Sequence, residues 1–466
     1  MKSARHLGRS CWAALALILG TGVLAPAAPI AVAGPGDLNA GGEYHPLTPT
    51  RIFDSRPVSS TNDVAPLGAK PLSAAVATFD IQLLGVGGIP VESANVLAVA
   101  VNITVTEAGN SGYLKAYGKG APASTSSIVN FVRGQTVPNL ALVRPGADGK
   151  LTIGLFGQSG TAHVVVDVFG WFSTSSVAAG GDGARLIPVT PARVLDTRDG
   201  TNSSPAGPLG PTSWLELQIR GVDGVNPAVT DVVPNSTDVI GVLLNVVGLT
   251  TGAGGTSTFV SVVPTRTSSN PGTSNLNLPG NTIKANLVMV PVGADGKVRL
   301  FNFAGNTHVA ADVVGYLAAN QDANTRRGRV VPLTAPYRTF DTREPQWGGV
   351  ALGTNQTEDW SFAEFAASVS IGPDAVGEQL GVIGNLTAAS LTRQTASVPV
   401  SSFLTMWPAN LPRPGSSNLN TVEGAVVPNL AVLTYGTNYT VKAYNLSGYA
   451  HYLFDASAVI LADAPA

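Results

Sequence analysis

Apolar residues in this chain fall in short runs separated by Gly-, Pro- and Ser-rich breaks, and no stretch keeps a convincing 3.6-residue period. The runs recur in one order three times. A strand is expected over Ala75–Leu84, Ser213–Arg220 and Thr357–Ala366. A more apolar strand with a single Asn follows: Asn102 in Leu97–Val105, Asn245 in Val239–Val247 and Asn385 in Leu380–Thr387. Strands at Ser111–Tyr117, Ser257–Val263 and Ser401–Trp407 come next, then Ser-Asn segments at 126–131, 273–278 and 416–421. Hairpins are expected to start at Asn139, Asn286 and Asn429. They turn at Ala147–Gly149 and Ala294–Gly296, and in the third block at Gly436–Asn438. With about eight short strands per block, the pattern predicts an all-β fold of three tandem antiparallel β-sandwich modules, jelly-roll-like. Their boundaries are 44–173, 186–319 and 330–463. Repeats of this length are too long for a solenoid.

Each block opens and closes on charged residues. The opening reads Pro-x-Arg-x-x-Asp-Ser/Thr-Arg, with Arg51, Asp54 and Arg56, then Arg193, Asp196 and Arg198, then Arg338, Asp341 and Arg343. The closing reads His-x-x-x-Asp: His163 and Asp167, His308 and Asp312, His451 and Asp455. By period-2 alternation Asp54 and Arg56 share a face and Arg51 takes the other. His163 and Asp167 share a face with Val165, Phe169 and Trp171. Both faces of this closing strand are apolar, so Asp167 is expected to be buried and to need a cation. A signature Arg is the expected partner, joining the first strand of each module to the last.

Two readings fit these residues. One is a buried polar network that fixes strand order. The other is a ligand or metal site of Arg, Asp, His and Asn. The first is preferred, because residues present in every copy are those every copy needs in order to fold. Asn102, Asn245 and Asn385, with Asn139, Asn286 and Asn429 at strand starts, fit it as amides that satisfy loop backbone. No calcium loop, H-E-x-x-H or G-x-S-x-G motif is present, so no cofactor and no catalytic residue is assigned.

Composition narrows the setting. Lys2, Arg5 and Arg9, the apolar run Cys11–Leu24 and Ala31-Val32-Ala33 read as a secretory signal over residues 1–33. Its removal changes the formal charge from −2 to −5 and takes away the one cysteine. A mildly acidic chain without a basic stripe argues against nucleic acid and anionic lipid as partners. No later stretch has the length and hydropathy of a transmembrane anchor. Without disulfides, stability must come from apolar cores. Aromatic rings could stack on sugars, and Tyr117, Trp214, Trp347, Trp360 and Trp407 are the candidates for glycan contact. They are not matched between blocks.

The two signatures together resemble the tandem repeat of secreted actinobacterial cell-surface and cell-wall-associated proteins, over nearly all of 44–463. The first two blocks are the most similar, through His163–Phe172 and His308–Leu317. The third departs at Asp455–Ala458, losing the Gly-aromatic ending. The resemblance implies location and brings no activity with it. The expected function is that of an extracellular, non-catalytic structural or adhesive protein of the cell envelope or matrix. Its expected partners are cell-wall polysaccharide or other matrix components, with self-association as a further contact. The alternatives are a glycan-binding protein with defined sugar sites and a secreted glycan hydrolase.

Overall fold

The computed structural model describes residues 41–57, 71–73, 77–146, 148–157, 160–174, 183–203, 205–250, 255–322, 325–369, 379–393 and 400–463. The expected leader, 1–33, lies outside these residues, as does Ala147 of the first expected turn.

The first block folds as β1 (Tyr44–Asp54), β2 (Thr78–Gln82), β3 (Val96–Thr106), β4 (Gly112–Gly118), β5 (Val129–Phe131), β6 (Val137–Val143), β7 (Lys150–Gly157) and β8 (His163–Ser173). The second contains β9 (Arg185–Asp196), β10 (Ser213–Gln218), β11 (Val222–Gly224), β12 (Val229–Val233), β13 (Val239–Thr250), β14 (Thr258–Val263), β15 (Leu276–Leu278), β16 (Ile283–Pro291), β17 (Lys297–Asn302) and β18 (Thr307–Ala318). The third contains β19 (Val330–Asp341), β20 (Gln356–Ser361), β21 (Gln379–Thr392), β22 (Ser401–Pro408), β23 (Leu419–Val422), β24 (Val427–Thr434), β25 (Thr440–Asn445) and β26 (Tyr449–Leu461). Here β20 stops at Ser361 and a helix, α1 (Ala363–Ser368), replaces the expected end of the strand.

The strands form six four-stranded antiparallel sheets, apart from the β11–β12 ribbon. In the first block the inner sheet runs β1-β8-β3-β6 and the outer sheet β2-β7-β4-β5. The other blocks repeat this as β9-β18-β13-β16 with β10-β17-β14-β15, and β19-β26-β21-β24 with β20-β25-β22-β23. The expected hairpins at Asn139, Asn286 and Asn429 are therefore corrected. The turn after β16 exists (Gly296 N–H donates to Gly293 O at 2.9 Å), but it carries the chain from an inner sheet to an outer one.

Burial explains why separate sandwiches in tandem are also corrected. Every residue of β3 is buried, yet its two faces enter different cores. Val99, Val101, Ile103 and Val105 face Phe79, Leu114 and Ile153 of the outer sheet. Ala98 and Ala100 join a second cluster with Leu243, Leu287 and Met289 of the second block and Leu386 and Leu430 of the third. Strand β13 divides likewise, with Val242, Leu244 and Val246 in its own core and Leu243 in the shared one. The three inner sheets thus line one common centre, and the six sheets form a closed body about a pseudo-threefold axis. An inner sheet taken alone would expose one full apolar face to water, which gives the ring its driving force.

Bulges alter two expected faces. The register slips between Arg51 and Phe53, so Arg51 and Asp54 face the same way. It slips again where Ala100 pairs Gly170 and Val101 pairs Val168, so Trp171 leaves the face of Asp167 for the outer core. The third block's missing glycine is also explained. A Cβ on Gly170 would meet the Tyr44 ring at 2.3 Å. Val330, paired with Ile460 as Tyr44 is with Phe172, is smaller and leaves room for Ala458.

Candidate functional site

The repeated charges form a clasp in each block. Asp167 sits between Arg51 on β1 and Asn102 on β3, its neighbours in register. Arg51 grips it with two bonds, Nε to Oδ1 at 2.9 Å and Nη2 to Oδ2 at 3.4 Å. In the second block Arg193 does the same to Asp312 at 2.5 and 3.3 Å, and in the third Arg338 to Asp455 at 2.6 and 3.0 Å. Arg51, Arg193 and Arg338 also reach back to Asp54, Asp196 and Asp341. Arg56, Arg198 and Arg343 close on those same carboxylates, each with an Nη2 bond of 2.6 Å. The fork geometry of guanidinium suits this double bridging.

Burial pushes the carboxyls of Asp167 and Asp312 up, against the opposing pull of Arg51 and Arg193. Burial would also raise Asp196 and Asp341, but hydrogen bonds from Arg198 and Arg343 hold both below the ordinary carboxylate range. The histidines do not join the carboxylates. His163, His308 and His451 meet Ser55, Thr197 and Thr342 through Nδ1, each at 3.1 Å. Those hydroxyls accept the backbone N–H groups of Val164, Val309 and Tyr452. Their thrice-kept Ser/Thr position in the opening signature was the signal for this role. The clasp is saturated with its own hydrogen bonds, and among the described residues no group of three His, Cys, Asp or Glu is placed to hold a metal.

Beside the clasp runs a belt of asparagines that joins the blocks. Asn102 Nδ2 donates to Ser274 O at 3.0 Å, Asn245 to Ser417 O, and Asn385 to Ser127 O at 2.9 Å. The first block thus holds the second, the second the third, and the third the first. Asn139 donates to Asn385 Oδ1 at 2.9 Å, Asn286 to Asn102 at 3.3 Å and Asn429 to Asn245 at 2.9 Å. These three lie within β6, β16 and β24, not at strand starts as expected. The Ser417 backbone pulls the Asp312 carboxyl down, so the clasp and the belt are coupled.

The two ends of the axis differ. Where the blocks begin, Glu43 lies 3.1 Å from Arg185 Nε and 3.5 Å from Arg329 Nε. The three residues are 5 %, 2 % and 6 % exposed. Bridges from Gly42 to Val330 and from Tyr44 to Ala184 bring the three block starts together there. At the opposite end, the starts of β6, β16 and β24 surround a cavity of about 730 Å³. Val137, Ile283, Val426, Val427, Phe131 and Phe403 line it, together with uncharged polar residues such as Asn277 and Asn420. Lys284 is the single charged residue among the described lining residues.

The expected aromatic contacts divide. Trp360 is 1 % exposed and stacks on Phe340 in the core; Trp407 is buried and donates to Leu411 O at 2.9 Å. Both are corrected as surface contacts. Tyr117, Trp214 and Trp347 are half-buried. A matched set was missed: Tyr113, Phe259 and Phe403 occupy equivalent places on β4, β14 and β22, one residue before Leu114, Val260 and Leu404. Tyr113 stacks on Phe156, and Phe259 on Phe303. In the second block Trp214, Phe301, Phe259 and Phe303 form a continuous row across the outward face of the outer sheet. Their centroids are 4.9, 6.3 and 4.6 Å apart, and Arg266 lies over Trp214. The signal was an aromatic at the third residue of each expected strand, Ser111–Tyr117, Ser257–Val263 and Ser401–Trp407.

No protein-family profile and no curated protein matches the chain. Among solved structures, it is similar to the tandem CBM22-1–CBM22-2 domain of Paenibacillus barcinonensis Xyn10C. The identity is 10%, with 58% of this chain and 98% of that one covered and a TM-score of 0.15. It is also similar to a triple jelly roll protein of an archaeal virus turret, at 9% identity, 91% of each chain and a TM-score of 0.17. At such scores neither likeness supports a statement about fold or function.

Proposed function

We propose that this chain is a secreted, non-catalytic protein of the cell envelope or extracellular matrix, acting as a rigid structural and adhesive body. One observation carries the reading: the thrice-repeated Arg, Asp, Asn and His side chains are engaged with one another and with backbone, in the clasp and the belt. Repetition here serves folding, and it leaves the outer sheets to meet partners. The strand order common to the three pairs of sheets supports jelly-roll-like modules as the unit of repetition. Fixed about an axis, three modules present their outer sheets at set angles, so a polymeric partner could be held at more than one point. The test is retention of the mature protein on purified cell walls. Release of soluble fragments from those walls without added enzyme would overturn the non-catalytic reading.

A second reading, glycan binding, is favoured by the row Trp214–Phe301–Phe259–Phe303. Phe303 is 44% exposed and stacks on the half-buried Phe259 at 4.6 Å, and an exposed ring face can pack on the apolar face of a sugar. Trp214→Ala and Phe303→Ala should then abolish retention on one purified polysaccharide while leaving the melting curve in place. Failure to bind any polysaccharide would sink this reading and leave the first standing.

A further inference from the structure

The cavity at the open end of the axis breaks the threefold pattern in one respect. Val137, Lys284 and Val427 each lie two residues before the belt asparagines Asn139, Asn286 and Asn429. The position is therefore apolar twice and cationic once. Among the described residues the Lys284 ammonium has no hydrogen-bond or ion-pair partner, although its backbone pairs with Gly248, and the described lining contains no carboxylate. Burial pushes its ammonium down to about 8. A part-buried ammonium without a counter-ion costs stability, and a folding role does not require it, since two blocks manage with valine. The mouth of the cavity is apolar too: Val132, Ile283, Val422, Val426 and Leu446 are among the most exposed large hydrophobic residues of the protein.

We infer that this cavity is a binding site for a single-headed anionic amphiphile, a carboxylate on a long apolar chain, with Lys284 as the counter-ion of the head. The volume, about 730 Å³, falls within the range of small-molecule sites. One cation selects one anionic head. Most of the exposed lining surface is apolar and accepts a hydrocarbon, while uncharged side chains such as Asn277 and Asn420 leave Lys284 as the one ionic partner among the described lining residues. The site takes a residue from each block only when the ring is closed.

The test is a titration of the mature protein with cis-parinaric acid and, in parallel, with the corresponding alcohol. Saturable binding of the acid is expected, with the alcohol weaker by roughly tenfold or more, the worth of one charge-assisted contact. Lys284→Met should erase that preference and keep the alcohol's affinity. Ile283→Trp, at a position 42% exposed, should block both ligands without unfolding the protein. Equal affinity for acid and alcohol, an unchanged preference in Lys284→Met, or no saturable binding would each overturn the assignment.

Discussion

The two ends of the pseudo-threefold axis treat charge in opposite ways. At one end a buried carboxylate, Glu43, faces two buried guanidinium groups, Arg185 and Arg329, and the space is closed. At the other end Lys284, whose ammonium has no ion-pair partner among the described residues, lies in the lining of a cavity of about 730 Å³. Both break the threefold symmetry that the clasp and the belt preserve. The closed end sets its carboxylate between two guanidinium groups and ties Arg185 further to Thr325 and to Asp322 O, so its asymmetry serves assembly. The open end leaves its charge for something else to neutralise, so its asymmetry points to a ligand.

Substitutions separate the two ends. Glu43→Ala should have the largest effect, a loss of about 3–5 kcal/mol, because it strands two buried cations; Glu43→Gln should lose less. Denaturant unfolding measures both, and a midpoint within error of the wild type would remove the triad from the account. Asp312→Ala comes next, at about 3 kcal/mol, since Arg193 keeps Asp196 but loses its buried partner. An unchanged melting curve would refute the clasp. Asn286→Ala should cost about 1–3 kcal/mol, by leaving Asn275 O and Asn102 Oδ1 short of a donor. Its effect should also appear as faster proteolysis of the links between blocks, and equal digestion rates would count against the belt.

Lys284→Val should reverse the sign and stabilise the unliganded protein by about 1 kcal/mol, as valine already serves the other two blocks. Its pH dependence follows from the lysine's depressed folded value of about 8, against 10.5 unfolded. Below pH 8 the lysine is charged in both states and its burial cost is fully present. Between 8 and 10.5 the folded protein sheds the proton first, so the wild type gains stability and the variant's advantage fades. A stability difference that does not change with pH across this window would show that burial of the charge is not its source.

Much of the ring was legible in the sequence. Strand content, the threefold repeat and the Arg–Asp clasp all follow from alternation, spacing and the scarcity of cations. The faces of Arg51 and Trp171 were not legible, because each depends on a bulge that flips the parity of a strand without marking the sequence. Closure was hidden for another reason. A strand buried on both sides reads as continuously apolar whether its second face meets its own module or a neighbour. The belt asparagines carried that information, but an amide in an apolar strand does not reveal how far away its partner lies. The axial cavity was the least legible of all, since it exists only where the three blocks meet.

Closure is the claim on which the shared core, the belt and the cavity all depend, and small-angle X-ray scattering of the mature protein tests it directly. A closed body of this length should have a radius of gyration of roughly 22 Å, whereas three linked beads would exceed roughly 30 Å. The first value is the one expected from the Asn102–Ser274, Asn245–Ser417 and Asn385–Ser127 ring of contacts. An extended profile with three resolved masses would contradict it.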